Sequence, residues 1–103
     1  MRKDNLSAKT GIKQKVLDEI TQLAQEHKVE KVILFGSRAR GDYKERSDLD
    51  LAFRGGSSSR FILDVDEETS TLLEFDIIDL DKPLDEALRE SIDREGILLY
   101  EKI

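Results

Sequence analysis

Hydrophobic positions along the chain change period several times, and each change predicts an element. From Gly11 to about Lys28, apolar residues fall at Ile12, Val16, Ile20, Leu23 and Ala24, the spacing of a helix with one buried face. Lys31 to Phe35 reads as a short buried strand around Val32-Ile33-Leu34-Phe35, ended by Gly36. Ser37 to Arg40 has room for one helical turn, and Gly41 to Ser47 is a charged loop. Asp48 to Phe53 alternates acidic and apolar positions, so it reads as a second strand with Leu49 and Leu51 facing away from Asp48 and Asp50. Gly55 to Ser59 is a flexible turn. Phe61, Val65 and Leu72 fit a short helix and its exit, while Phe61-Ile62-Leu63 fits a strand equally well.

Leu72 to Leu80 reads as a third strand. Asp81 is the expected N-cap of a helix with Pro83 in its first turn, running to about Arg94 and stopping near Gly96. Ile97 to Glu101 closes the chain as a short strand, and residues 1–10 read as polar and loose. The order is helix, strand, strand, an ambiguous segment, strand, helix, strand. With 103 residues this amounts to one domain, residues 1–103, with no internal repeat.

Composition narrows the chemistry. There is no Cys, so neither a disulfide framework nor a thiolate zinc site is available, and the single His27 makes no histidine cluster. The longest apolar runs are four residues, far short of the roughly 20 that a membrane helix needs, and the polar N-terminus does not read as a signal peptide. The expected location is the cytoplasm, with no membrane partner. A net charge of −6 argues against general nucleic-acid binding through a basic surface. The charge is uneven: residues 1–46 carry eleven Lys/Arg against seven Asp/Glu, and residues 47–103 carry six against sixteen. The first part is suited to meeting phosphate, and the second to holding metal or a basic partner. Ordinary solvated helix faces account for the same asymmetry.

The most informative motif is Gly36-Ser37 followed, after ten intervening residues, by Asp48-Leu49-Asp50. Two carboxylates at alternate strand positions share one side of a sheet and can converge on a divalent cation. Magnesium favours hard oxygen ligands and accepts only a few protein carboxylates, which leaves positions for water and phosphate. A third carboxylate from a neighbouring strand is expected, either Asp76 or Asp79. Three positions apart, these two face opposite sides of a regular strand, so only one belongs to the site. Asp76, flanked by Phe75 and Ile77, is favoured, because an uncompensated carboxylate in mid-strand is costly. Gly36 lets a phosphate approach the backbone, and Ser37 adds a hydroxyl and an amide. Arg38, Arg40, Lys44 and Arg46 put positive charge nearby. Arg40 or Lys44 is placed to contact a phosphate or an acidic partner, although each of the four taken alone is better explained as a solvated loop charge.

Gly36-Ser37-Arg38-Ala39-Arg40-Gly41 and Ser47-Asp48-Leu49-Asp50-Leu51 resemble the core of the minimal nucleotidyltransferases, within the DNA polymerase β-like nucleotidyltransferase superfamily. The resemblance runs from the first helix through Phe75-Asp76-Ile77-Ile78 to the end. It implies an α+β fold, a small mixed β-sheet with helices packed on it, of the polymerase β-like palm type. It further implies that Asp48, Asp50 and Asp76 bind Mg²⁺, two ions in all, and do the catalysis. Gly36 and Ser37 would hold the nucleotide, with ATP as substrate; Arg40 joins the nucleotide-binding set on its local charge rather than on the resemblance. Short members are similar to antitoxins paired with a HEPN-domain ribonuclease toxin, some of which transfer AMP to a toxin tyrosine. A HEPN toxin is therefore the expected partner, and a second copy of the chain is another way to finish the site. The alternative is an antitoxin or partner subunit that neutralises by contact without catalysis.

Overall fold

In the computed structural model, which describes residues 2–103, a four-stranded mixed sheet carries helices on both faces. Two helices come first, α1 (Arg2–Thr10) and α2 (Gln14–Glu26), followed by β1 (Lys31–Phe35) and the one-turn α3 (Ser37–Arg40). Then come β2 (Leu49–Arg54), α4 (Ser58–Glu68), β3 (Phe75–Asp79), α5 (Glu86–Glu95) and β4 (Ile97–Glu101). The strands lie in the order β3-β2-β1-β4. β1 is antiparallel to both of its neighbours, and β2 and β3 are parallel.

The alternation within each strand sorts the two faces. Val32, Leu34, Leu49, Leu51 and Phe53 are fully buried and pack against α2 and α4 through Val16, Ile20, Leu23, Phe61 and Val65. Phe53 and Phe61 meet with ring centroids 5.1 Å apart and a 58° tilt, a geometry that aromatic quadrupoles favour. The opposite face carries the smaller cluster of Phe35, Ala52, Leu80 and Ile92 beneath α5. Asp50 and Asp76 belong to this second face, two residues from Ala52 and Ile78 on their strands.

Strand directions gather the chemistry at one rim. The C-terminal end of β1 and the N-terminal ends of β2 and β3 lie together, so Gly36, Asp48 and the segment before Phe75 are neighbours. The opposite rim holds Lys31, Arg54 and Glu101.

Three expectations need correction, and one open alternative is resolved. Residues 2–10 form a helix, anchored by Thr10, which is fully buried and donates its hydroxyl to the Leu6 carbonyl at 2.8 Å. Phe61 and Val65 lie one helical turn apart on α4 and are both buried, which resolves the ambiguous segment as helix. The third strand is shorter than expected, because Leu72 lies outside it and is fully exposed. The N-cap of α5 is Asp85, whose carboxylate accepts from the Leu88 amide at 3.3 Å. Asp81 instead accepts from the Gly55 amide at 2.8 Å and ties the two loops at the far rim.

Candidate active site

Gly36 closes β1 with φ +78° and ψ −159°, a backbone conformation open essentially to glycine alone. A Cβ at this position would collide with a carboxylate oxygen of Asp50. The Gly-Ser turn and the second motif aspartate are therefore in direct apposition, with no side-chain layer between them. Ser37 then opens α3, whose first closing bonds are Arg40 N–H to the Gly36 carbonyl at 3.0 Å and Gly41 N–H to the Ser37 carbonyl at 2.9 Å.

The register fixes the acidic pair. Asp50 on β2 is the partner of Asp76 on β3 and of Phe35 on β1. Asp79 is the partner of Phe53, so it belongs to the face turned towards α2 and α4. Its carboxylate accepts from the Asp81 amide at 2.9 Å, which commits it to the turn after β3. The geometry thus brings Asp76, and not Asp79, beside Asp50. The reason differs from the expected one, since Asp76 is exposed and no burial cost singles it out. Asp48 is also exposed and stands one residue before β2.

Asp50 is the electrostatically unusual member. Burial, then the neighbouring Asp76 and Asp48 charges, push its carboxyl from the ordinary 3.8 up to about 6. Arg40 pulls in the opposite direction, so it lies within electrostatic reach of Asp50. Its guanidinium donates to Glu95 at 2.9 Å and to Asp42 at 3.2 Å. Meeting a phosphate would require Arg40 to exchange those partners. Among the described residues, no three acidic or histidine side chains form a ready-made metal cage. The donors nevertheless fit a hard dication whose remaining positions are filled by water and phosphate: carboxylate oxygens only, one of them raised in pKa by burial and then by its like-charged neighbours, beside a glycine-opened backbone.

Three features of the site were not read from the sequence. Arg38, read as a loop charge, is 1% exposed and spends its donors on backbone carbonyls. Glu95, at the end of α5, reaches across to Arg40. An open hollow of about 580 Å³ lies beside Asp48, lined by Glu45, Arg46, Leu72, Leu73 and Glu74. Only proximity in the fold reveals these three, as no spacing rule links residues 45, 72 and 95.

A polymerase beta nucleotidyltransferase family model matches residues 18–103, and the chain belongs to that family. Over 51 residues it is 39% identical to the Methanocaldococcus jannaschii protein named "Putative protein adenylyltransferase MJ0604", a match covering 50% of this chain and 49% of that protein. The chain thus matches about half the length of this relative. A solved structure described as a minimal nucleotidyltransferase superposes with a TM-score of 0.61 at 31% identity, covering 79% of this chain and 86% of that one. A toxin-antitoxin structure with AMP-PNP superposes with a TM-score of 0.67 at 20% identity, covering 84% and 73% respectively, and shares the fold. Among the described residues, no helix is long and apolar enough to cross a membrane.

Proposed function

We propose that this chain transfers AMP from ATP to a protein hydroxyl, with a tyrosine of a HEPN toxin as acceptor, and so acts as an antitoxin. The observation that carries the reading is the in-register Asp50–Asp76 pair, with Asp50 directly against the Gly36 turn, in a member of the polymerase beta nucleotidyltransferase family. The resemblance to the named protein adenylyltransferase and the fold shared with a toxin-antitoxin structure support the adenylyl group and the toxin partner.

Asp48, Asp50 and Asp76 would hold Mg²⁺, which when bound supplies charge neutralisation at the attacking and leaving oxygens. Gly36 and Ser37 leave the backbone open to the β- and γ-phosphates. Arg40 adds positive charge on that side, with Glu95 and Asp42 keeping its guanidinium at the site until a phosphate replaces them. In-line displacement puts acceptor and pyrophosphate on opposite sides of the α-phosphorus. The phosphates lie towards β1, so the acceptor enters from the β3 side, where the hollow around Leu72 opens beside Asp48. The acceptor oxygen bonds to the α-phosphorus and its proton passes to Asp76. The bond to the bridging oxygen breaks, and pyrophosphate leaves.

Incubation with MgATP and the toxin partner should add one adenylyl mass to the toxin, read by intact-mass spectrometry, and Asp48→Ala with Asp50→Ala should abolish it. Full protection by that double variant without nucleotide would instead establish neutralisation by contact.

A further inference from the structure

The largest fully buried side chain among the described residues is an arginine, Arg38, at 1% exposure. Its Nε donates to the Ser47 carbonyl at 3.0 Å and its Nη1 to the Thr10 carbonyl at 3.0 Å. Its Nη2 donates to the Glu45 carbonyl at 3.1 Å and, more weakly, to the Lys44 carbonyl at 3.5 Å. The guanidinium carbon lies 4.8 Å from the centre of the Tyr43 ring. Every acceptor is a backbone carbonyl, and among the described residues no carboxylate forms an ion pair with it. A buried charge compensated only by dipoles and one aromatic face is costly to keep, so its geometry must matter.

The acceptors define what that geometry does. Three of them belong to the turn that leads into Asp48, and the last, Ser47, shares its peptide unit with the Asp48 amide. The turn is also tied to itself: the Lys44 amide donates to the Ser47 hydroxyl at 2.7 Å, and the Ser47 amide to the Lys44 carbonyl at 3.0 Å. The remaining acceptor, Thr10, ends α1 and lies outside the segment matched by the family model, which begins at residue 18. Gly11 completes the clamp, because a Cβ there would stand 2.6 Å from the Tyr43 ring. Lysine offers a single ammonium and cannot span four carbonyls, whereas the planar guanidinium fork can.

We infer that Arg38 is a positioning residue for Asp48: it fixes the Ser47–Asp48 peptide from below, with α1 as the fixed end of the clamp, and thereby sets the metal affinity of the site. The inference rests on the proposed role of Asp48 as a metal ligand.

Two readouts test it on the full chain with Arg38→Lys, checked for native circular dichroism. Amide exchange of residues 42–48 without ligand should accelerate. The Mg²⁺-dependent affinity for AMP-PNP should fall by about tenfold, the scale on which outer partners of metal ligands act. Arg38→Lys combined with Asp48→Asn should bind no more weakly than Asp48→Asn alone, since both act through one carboxylate. Losses that add, or faster exchange with unchanged magnesium dependence, would leave Arg38 a merely structural residue and overturn the inference. If wild-type affinity ignored both Mg²⁺ and Asp48→Asn, the proposed function would fall, and the role of Arg38 with it; additive losses would sink the Arg38 role alone. Should Arg38→Lys not fold, Tyr43→Leu removes the aromatic face and should shift both readouts in the same direction; unchanged readouts would overturn the inference.

Discussion

Asp50 and Asp76 are register partners across the parallel β2–β3 pair, two carboxylates side by side on one face of the sheet. Their mutual repulsion is built into the fold without ligand, and Asp50 bears it because it is the more buried of the two. A site that gathers like charges before any cation arrives is less stable when empty than when filled.

Burial of Asp50, with this repulsion added to it, sets a pH dependence. The Asp50 carboxyl is raised from 3.8 to about 6 in the folded protein, so between those values the folded form holds a proton that the unfolded chain has lost. Stability therefore falls as pH rises through this window, and the deficit persists above it. Asp50→Asn removes the deficit. After discounting for solvent screening at this open site, the gain at pH 7.5 in chelator is about 1 kcal/mol, or about 4–8 °C in Tm. Thermal melts should show the gain shrinking towards pH 4. Adding Mg²⁺ with AMP-PNP should reverse the order, raising the wild-type Tm above that of the variant.

Gly36→Ala meets two obstacles, a φ of +78° and the Asp50 carboxylate in the space the methyl group would take. Urea denaturation should show a loss of about 1–3 kcal/mol. The folded variant should also bind AMP-PNP at least about tenfold more weakly, because relief of the clash moves Asp50 or closes the turn.

Leu72→Glu separates acceptor binding from nucleotide binding. The Leu72 side chain is fully exposed at the mouth of the hollow beside Asp48, so stability should change by less than about 0.5 kcal/mol. AMP-PNP affinity should be unchanged. The rate of adenylyl transfer to the toxin, followed by intact mass, should fall by at least about tenfold, as expected for a central apolar contact replaced by a charge.

Where local pattern and tertiary burial agree, the sequence was enough. β1, α3 and β4 begin and end where the apolar runs and flanking glycines place them. The motif singled out Gly36 and Asp50, but their apposition follows from the antiparallel pairing of β1 and β2, which the spacing alone does not give. α1 was not legible, since its anchoring is tertiary: Thr10 is buried and its carbonyl is held by Arg38. The cap of α5 was misplaced because Asp81 and Asp85 both precede helix-forming residues, and only the turn geometry after Leu80 chooses between them. Asp76 was preferred for a burial it does not have, and the strand register supplies the better reason. Arg38 illustrates the limit of composition, because nothing in an arginine of a one-turn helix beside a charged loop marks it as interior.

The strand directions also leave a practical opening. Five residues of strand separate Lys31, Arg54 and Glu101 from the acidic rim, about 17 Å at the usual rise. The chain has no cysteine, so a single thiol at Glu101→Cys would be a unique handle for a dye. Attached there, a fluorophore would follow the docking of a partner at the other end while leaving the chemistry undisturbed.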